Sequence, residues 1–225
     1  FKPTASIPEH GIALMFDLAG FSKFFAQPDV HHYVPKYLNH VINALSSIVH
    51  GGDHYWVDEK PYKPLPKPIH WKFLGDGLLV LWRYNDFKKE ELGLLMNRCW
   101  NLMINYDEVN NKAIEDVPVM DIPQKIRFGI SAGTIYKLTY ESTKTDEYIG
   151  YCINLASRLQ SYCRELGFIV SARLNPKSKD VEESKYLKIV AKNIKGFPNE
   201  VVIVDKESYD ELDIKIKEEL FEELE

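Results

Sequence analysis

Two aspartates stand where apolar runs of the sequence end or turn, and both could bind a hard metal ion. Asp17 follows the apolar run 11–16, and Asp76 lies between two glycines inside a second apolar stretch, 70–82. Carboxylates beside a glycine-rich turn can hold Mg²⁺ or Mn²⁺ against a phosphate, because these cations prefer oxygen ligands and keep open positions for a substrate. Taken alone, Asp76 also suits a plain hairpin turn. The two carboxylates converge only if both runs pair in one sheet.

Strands and a tight turn must position these aspartates. Residues 70–82 predict a hairpin, because β-favouring residues flank Gly75 and Gly77, which supply the positive φ angles that a tight reversal needs. After the first aspartate, Gly20 and Ser22 suit a turn that leads into a helix. The backbone N–H groups of that turn would point at a bound phosphate.

A second set of polar residues falls on a predicted helix. From Tyr151 the sequence is helix-like, and Asn154 and Arg158 are four residues apart, so both can reach one ligand from the same face. Apolar spacings of three and four predict further helices at 33–49 and 87–106. The other predicted strands are 125–133, then 134–139 after a turn at Gly133, followed by 168–170, 187–190 and 201–204.

Composition restricts the class of protein. The chain has 225 residues, of which 45% are hydrophobic and 27% charged. This favours a single domain over residues 1–225, with a core at about 11–204 and an acidic amphipathic helix at about 207–225. The net charge of -5 argues against nucleic acid as a partner. No apolar run reaches the ~20 residues of a membrane-spanning helix and no leader is recognisable, so we expect no membrane partner and a cytoplasmic protein.

Four stretches, taken together and in order, resemble the catalytic domain of class III nucleotidyl cyclases, the adenylyl and guanylyl cyclase family. Residues 16–22 resemble the family's first metal motif, 72–77 its second, 127–130 its central strand and 150–158 its G-x-x-x-N-x-A-x-R helix. Four motifs in order are far more specific than one. The resemblance implies an α+β, ferredoxin-like fold with helices packed on a mixed or antiparallel sheet. It also implies a head-to-tail homodimer with its sites at the interface.

The resemblance assigns roles to individual residues. The metal site, which would hold two Mg²⁺ or Mn²⁺ ions, falls on Asp17, Leu18 and Asp76 of one subunit. The base-selecting pair falls on Lys72 and Glu147 of the other subunit. By the same resemblance, Asn154 orients the ribose and Arg158 stabilises the transition state. The phosphate contacts fall on the turn of Gly20, Phe21 and Ser22, and on Arg127. Lys195 is a weaker candidate for a terminal-phosphate contact, because Phe197 replaces the family's following lysine.

The chemistry of the selecting pair restricts the substrate base without fixing it. Lys72 can donate and Glu147 can accept, a pattern that suits adenine and cytosine directly and uracil with the two roles exchanged. Guanylyl cyclases usually carry glutamate and cysteine at these places, and adenylyl cyclases carry aspartate where this chain has Glu147. The longer carboxylate and the bulk of Trp71 and Tyr148 predict a pocket shortened for a single-ring base.

Two segments near the start of the chain support a pyrimidine substrate. Residues 24–30 and 33–39 also resemble the pyrimidine cyclases of bacterial Pycsar anti-phage systems. The leading hypothesis is therefore a lyase that converts UTP or CTP to cUMP or cCMP and pyrophosphate, as a second messenger in anti-phage defence. The alternatives are an adenylyl cyclase that makes cAMP from ATP, a non-catalytic nucleotide-binding sensor and a ferredoxin-like interaction module.

Overall fold

The computed structural model describes residues 3–51, 62–140 and 145–224. The strands in these ranges are β1 Pro3–Ala5, β2 Glu9–Ala19, β3 His70–Leu74, β4 Gly77–Arg83, β5 Lys125–Tyr140, β6 Thr145–Gly150, β7 Phe168–Ser171, β8 Tyr186–Ala191, β9 Glu200–Asp205 and β10 Phe221–Glu222. The α-helices are α1 Phe21–Phe25, α2 Val34–Leu45, α3 Lys89–Ile104, α4 Tyr106–Ile114, α5 Tyr151–Tyr162, α6 Lys206–Asp210 and α7 Ile214–Leu220.

The described strands form one mixed sheet. Its order is β10-β8-β9-β7-β5-β2-β4-β3, and β1 and β6 pair with the far end of β5. Only the β5–β7 pair among the described strands is parallel. The segment β2-α2-β3-β4-α3-β5 with the order β5-β2-β4-β3 is the ferredoxin-like arrangement. The α+β fold that the sequence predicted is confirmed.

Alternation along the central strands divides the helices between two faces of the sheet. Ile12, Leu14 and Phe16 of β2 pack in the main core with residues of α2, α3 and α4. Ala13 of the same strand packs on the opposite face with Ala156 of α5. Because successive strand residues point to opposite faces, every odd-numbered position of β2 near its end lies on the α5 face. That face carries Asp17.

The turn predicted at Gly133, between strands 125–133 and 134–139, is wrong. β5 runs without interruption from Lys125 to Tyr140. Gly133 stays in the strand and pairs with Gly11 of β2. A carbon at Cβ of Gly133 would lie 3.1 Å from the Tyr151 ring, so the glycine accommodates the start of α5 rather than a turn.

The predicted helix at 207–225 is also wrong. Two short helices, α6 and α7, and the strand β10 occupy this part of the chain. The Asp213 side chain accepts a hydrogen bond from the Lys215 N–H and thereby begins a new helix. The helix predicted at 87–106 likewise ends early, and a second helix follows after Asn105.

The strands predicted at 168–170, 187–190 and 201–204 are confirmed as β7, β8 and β9. The three cysteines, Cys99, Cys152 and Cys163, are buried and carry free thiols. No helix within the described ranges is long and apolar enough to cross a membrane.

Candidate active site

The two aspartates meet where β2 runs alongside the β3–β4 hairpin. Asp17 lies opposite Gly77 of β4, the residue that follows Asp76. Gly75 has a φ of 69°, which the tight turn requires. Gly77 does not have the positive φ that the sequence predicted. It is needed instead for space, because a Cβ there would lie 2.3 Å from the Phe16 carbonyl oxygen.

The Asp76 carboxyl is in an unfavourable place for a negative charge. Burial, and then the nearby charge of Asp17, raise the pKa of Asp76 above its usual value. A cation placed beside both carboxylates would favour the charged form of Asp76, against which burial and the charge of Asp17 act. The donor set therefore fits a divalent cation, although the described residues contain no group of three or more acidic, histidine or cysteine side chains that could hold one.

Asp17 accepts hydrogen bonds from two neighbouring elements. The Nη2 group of Arg127, its pairing partner on β5, donates to Asp17 Oδ2. Gln160 of α5 donates from Nε2 to the same oxygen at 3.1 Å. The side chains of Arg127 and Asp17 are only 16% and 17% exposed, so solvent screens this ion pair weakly. Leu18, in contrast, is buried in the core and can offer only its backbone.

Lys72 and Glu147 lie side by side although 75 positions separate them in the sequence. Lys72 Nζ donates to Glu147 Oε1 at 2.6 Å. The two side chains are 42% and 39% exposed, so a ligand can approach both. The pair presents a donor next to an acceptor, which is the pattern needed to recognise the edge of a nucleobase.

The surroundings of this pair differ from those the sequence predicted. Trp71 pairs with Val80, on the face where the main core lies, and its ring is 5.1 Å from that of His50. Lys72 points to the α5 face, so Trp71 cannot narrow a pocket around it. Tyr148 does lie beside the pair, and its ring is 5.1 Å from the ring of His70. His70 was not predicted as part of this site.

Asn154 and Arg158 share one exposed face of α5, as predicted. They line an open cleft of about 380 Å³, together with Ser157, Lys195, Gly196 and Phe197. Lys195 is therefore near Arg158 even though the resemblance supported it weakly. The cleft combines two cationic groups with an amide, a set that suits an anionic ligand.

The two groups of residues on α5 face different ways. Gln160 follows Arg158 by two positions, which is a rotation of roughly 200° around a helix. Ala156 and Gln160 face the sheet, where a Cβ on Gly129 would lie 2.1 Å from the Ala156 carbonyl oxygen. Asn154 and Arg158 are exposed. The Asp17 group and the Arg158 cleft are thus on different sides of one helix.

The turn after Asp17 leads into a helix, as the sequence predicted. Gly20 adopts a φ of 90° just before α1, and both Gly20 and Ser22 are exposed. The helix has only five residues, and Phe24 N–H donates to the Gly20 carbonyl at 3.0 Å. The first N–H groups of the helix precede this bond and lie at its exposed start.

No protein-family model matches the chain, and no curated protein matches it significantly by sequence. Solved structures do match. The guanylyl cyclase Cya2 aligns with a TM-score of 0.61 and 20% identity over 90% of this chain and 93% of that one. The adenylyl cyclase CyaB from P. aeruginosa aligns with a TM-score of 0.63 and 16% identity over 90% and 95%. This chain has the fold of the adenylyl and guanylyl cyclases.

A third cyclase structure was determined with a nucleotide. The guanylate cyclase domain of RhGC from Catenaria anguillulae, in complex with GTP, aligns with a TM-score of 0.51 and 13% identity over 89% of this chain and 98% of that one. At these identities the likeness defines the cyclase fold of this chain and leaves its substrate open.

Within the cyclase fold, sequence reasoning missed Gln160 and His70. Gln160 follows Ala156 by one helical turn, so the spacing that placed Asn154 and Arg158 together also predicts that Gln160 faces the sheet. His70 precedes Lys72 by two positions, and alternation places both on one face of β3. Both residues could therefore have been found from the periods of their elements.

Proposed function

We propose that the protein is a nucleotidyl cyclase that converts UTP or CTP into the 3′,5′-cyclic monophosphate and pyrophosphate. The observation that carries the proposal is the convergence of Asp17 and Asp76 on the α5 face of a cyclase fold. The Lys72–Glu147 pair lies on the same face of the sheet. Carboxylates for a metal–phosphate complex and a donor–acceptor pair for a base are the parts that this reaction requires.

Asp17 and Asp76, with the backbone of Leu18, would hold Mg²⁺ or Mn²⁺. When bound, such ions activate the ribose 3′-OH and neutralise the triphosphate. One or two carboxylates suffice for Mg²⁺, because substrate phosphates and water complete its coordination. The ion pair of Arg127 with Asp17 uses Oδ2, and Arg127 lies next to the position proposed for the triphosphate.

The chain's own residues would bind and orient the nucleotide. Glu147 accepts a hydrogen bond from the base and Lys72 donates one. Asn154 orients the ribose, and Arg158 donates to phosphoryl oxygens as negative charge develops there, a role in which losing one donor commonly reduces the rate about 100-fold or more. Lys195, in the same cleft as Arg158, and the exposed turn of Gly20, Phe21 and Ser22 supply further phosphate contacts.

We propose that the active unit is a head-to-tail homodimer. Asn154 and Arg158 point away from the side of α5 on which Gln160 reaches Asp17. One chain therefore presents the carboxylates and the cationic cleft in different directions. Two copies related by a two-fold axis can join the carboxylates of each to the cleft of the other.

The choice of a pyrimidine rests on Glu147, on Tyr148 and on the resemblance of residues 24–30 and 33–39 to Pycsar cyclases. Trp71 does not support this choice, because it lies on the opposite face from Lys72 and cannot shorten the base pocket. The anti-phage role rests on that resemblance alone. ATP is the second candidate substrate, because a lysine donor beside a carboxylate acceptor suits the edge of adenine equally well.

Incubation of the purified protein with an equimolar mixture of the four nucleoside triphosphates and Mn²⁺, with mass analysis of the products, tests the proposal. We expect cUMP or cCMP to form at least about tenfold faster than cAMP, a difference of about 1.4 kcal/mol in transition-state stabilisation. If cAMP is the dominant product, the preferred substrate is ATP and the proposal of a pyrimidine substrate is wrong. Absence of any cyclic product would contradict cyclase activity itself.

A further inference from the structure

We propose that Gln160 is a positioning residue that holds the Asp17 carboxylate in the orientation in which it binds the metal ion. This inference rests on the proposed function, because it assigns a role within the same metal site. Gln160 Nε2 lies 3.1 Å from Asp17 Oδ2, to which it donates. No motif of the cyclase resemblance includes this residue.

The two donors to Asp17 come from different elements of the fold. Arg127 approaches from β5 and Gln160 from α5, and both donate to Oδ2. Rotation of an aspartate carboxylate about its last bond is only weakly restricted by its own torsional preference. Two donors fixed on separate elements restrict that rotation, and because both use Oδ2, neither of them occupies the other oxygen, Oδ1.

A neutral donor suits this place better than a second cation. Arg127 already forms an ion pair with Asp17 in a weakly exposed position. Another lysine or arginine there would compete further with a metal ion for the carboxylate. The amide of Gln160 donates a hydrogen bond without adding charge, so it can orient the ligand and still leave its charge available.

The packing of α5 on β5 fixes the position of Gln160. A Cβ at Gly129 would lie 2.4 Å from the Gln160 backbone nitrogen and 2.8 Å from its Cβ. The backbones of helix and strand therefore approach as closely as a glycine allows. Gly129 follows Arg127 by two residues, so the Arg127 side chain lies on the face of the sheet against which Gln160 packs.

The experiment measures Mn²⁺ binding to the nucleotide-free protein by electron paramagnetic resonance. Gln160→Met keeps the length of the side chain and removes its donor, and Gln160→Asn keeps the amide but draws it back by one methylene. Gln124→Met is the matched control, since the Gln124 amide donates to the Ile122 carbonyl at 2.9 Å and makes no contact with Asp17. Asp17→Asn shows how far Mn²⁺ binding weakens when the metal ligand itself is removed.

We expect both Gln160 variants to bind Mn²⁺ about tenfold more weakly or worse, as is usual when a residue that orients a metal ligand is lost. Gln124→Met should bind as the parent does, and the melting temperatures of the two methionine variants should agree. If Gln160→Met does not fold, Gln160→Asn decides alone.

Unchanged Mn²⁺ affinity in the Gln160 variants, with the expected loss in Asp17→Asn, would overturn the role of Gln160 and leave the metal site intact. A parent protein that binds no Mn²⁺, or an Asp17→Asn variant that binds it normally, would overturn the metal site and the role of Gln160 with it. The two failures are therefore distinguishable.

Discussion

Lys72 and Glu147 contribute little to stability for two residues held so closely. Their contact of 2.6 Å joins side chains that are 42% and 39% exposed, and exposed ion pairs are typically worth about 0–1 kcal/mol. Burial and packing do not require either charge at this place. Recognition of a ligand is therefore the better reason for the pair, and its replacement should alter selectivity more than folding.

Replacing Glu147 by alanine tests whether the pair serves selectivity for the nucleobase rather than folding. We expect Glu147→Ala to reduce the preference for UTP or CTP over ATP about tenfold, because the pocket loses the long carboxylate that shortens it for a single-ring base. The change in unfolding free energy should stay below about 1 kcal/mol. Competition assays with mixed triphosphates and denaturant unfolding measure the two effects.

The adjacent Asp146 provides the control. It is also exposed and paired, with Lys137 at 2.8 Å, so Asp146→Ala removes a comparable ion pair one residue away. We expect that variant to keep the parent's selectivity. Equal loss of selectivity in both variants would show that Glu147 has no specific contact with the base.

At the residue scale, the sequence predicted which residues lie close together better than which way a side chain points. The pairing of Asp17 with the end of the β3–β4 hairpin and the contact of Lys72 with Glu147 agree with the predictions. The place given to Trp71 was wrong although alternation excludes it from the face that carries Lys72. The Arg127–Asp17 ion pair was not predictable, because it depends on the register between β2 and β5.

At the scale of elements, helix α5 connects the groups that the site requires. Its sheet-facing side brings Gln160 to Asp17, and its exposed side carries Asn154 and Arg158 into the cleft. A displacement of this one helix would therefore change the support of the carboxylate and the direction of the cleft together. Gly129 controls the distance between helix and sheet.

The substitution Gly129→Ala should separate α5 from β5. The new Cβ would lie 2.1 Å from the Ala156 carbonyl oxygen, and since that atom is backbone the helix must move. We expect a loss of roughly 1–3 kcal/mol in unfolding free energy, as is typical of overpacking, with at least about tenfold lower kcat. Calorimetry and steady-state kinetics measure these effects.

Gly133→Ala is the control on the same face of the same strand. Its Cβ would first meet a side-chain atom of Tyr151, at 3.1 Å, and a side chain can yield more readily than a backbone. We expect a smaller loss of stability and nearly parental kcat. Equal effects of the two substitutions would mean that strand propensity, rather than the position of α5, determines the outcome.

Element type was more predictable than element boundaries. Apolar spacing identified α2 and α3, because each buries a stripe of apolar side chains in the main core. The amphipathic pattern predicted for 207–225 does reflect burial, since Leu212, Ile216 and Leu220 pack in one core cluster. It misled only about continuity, because Asp213 begins a new helix and β10 pairs with β8, a long-range contact that local patterns do not contain.

At the scale of the whole molecule, the two proposed half-sites of one chain point in different directions. The carboxylates lie on the α5 face of the sheet near the end of the β3–β4 hairpin. The Lys72–Glu147 pair of the same chain is assigned to the other half, which would complete the partner's carboxylates. The cleft with Arg158 and Lys195 lies on the exposed side of α5. Apolar side chains are exposed at the end of β3, beside the turn that carries Asp76, with Phe73 at 48% and Leu74 at 42%. A second copy is the partner that would cover them and complete both sites.

Mixing two inactive variants tests this arrangement. Asp17→Asn damages the carboxylate half and Asn154→Ala the cleft half, so each homodimer has two defective sites. In a mixed dimer both defects fall in one site and the other site is intact. Random exchange should therefore restore about one quarter of the parental activity, because half of the dimers are mixed and each has one working site.

Mixing Asp17→Asn with Asp76→Asn is the control, since both changes lie in the carboxylate half and every site of every dimer remains damaged. Recovery in the first mixture alone establishes a shared site, whereas equal inactivity of both mixtures, under conditions in which labelled subunits demonstrably exchange, would place all the catalytic residues within one chain.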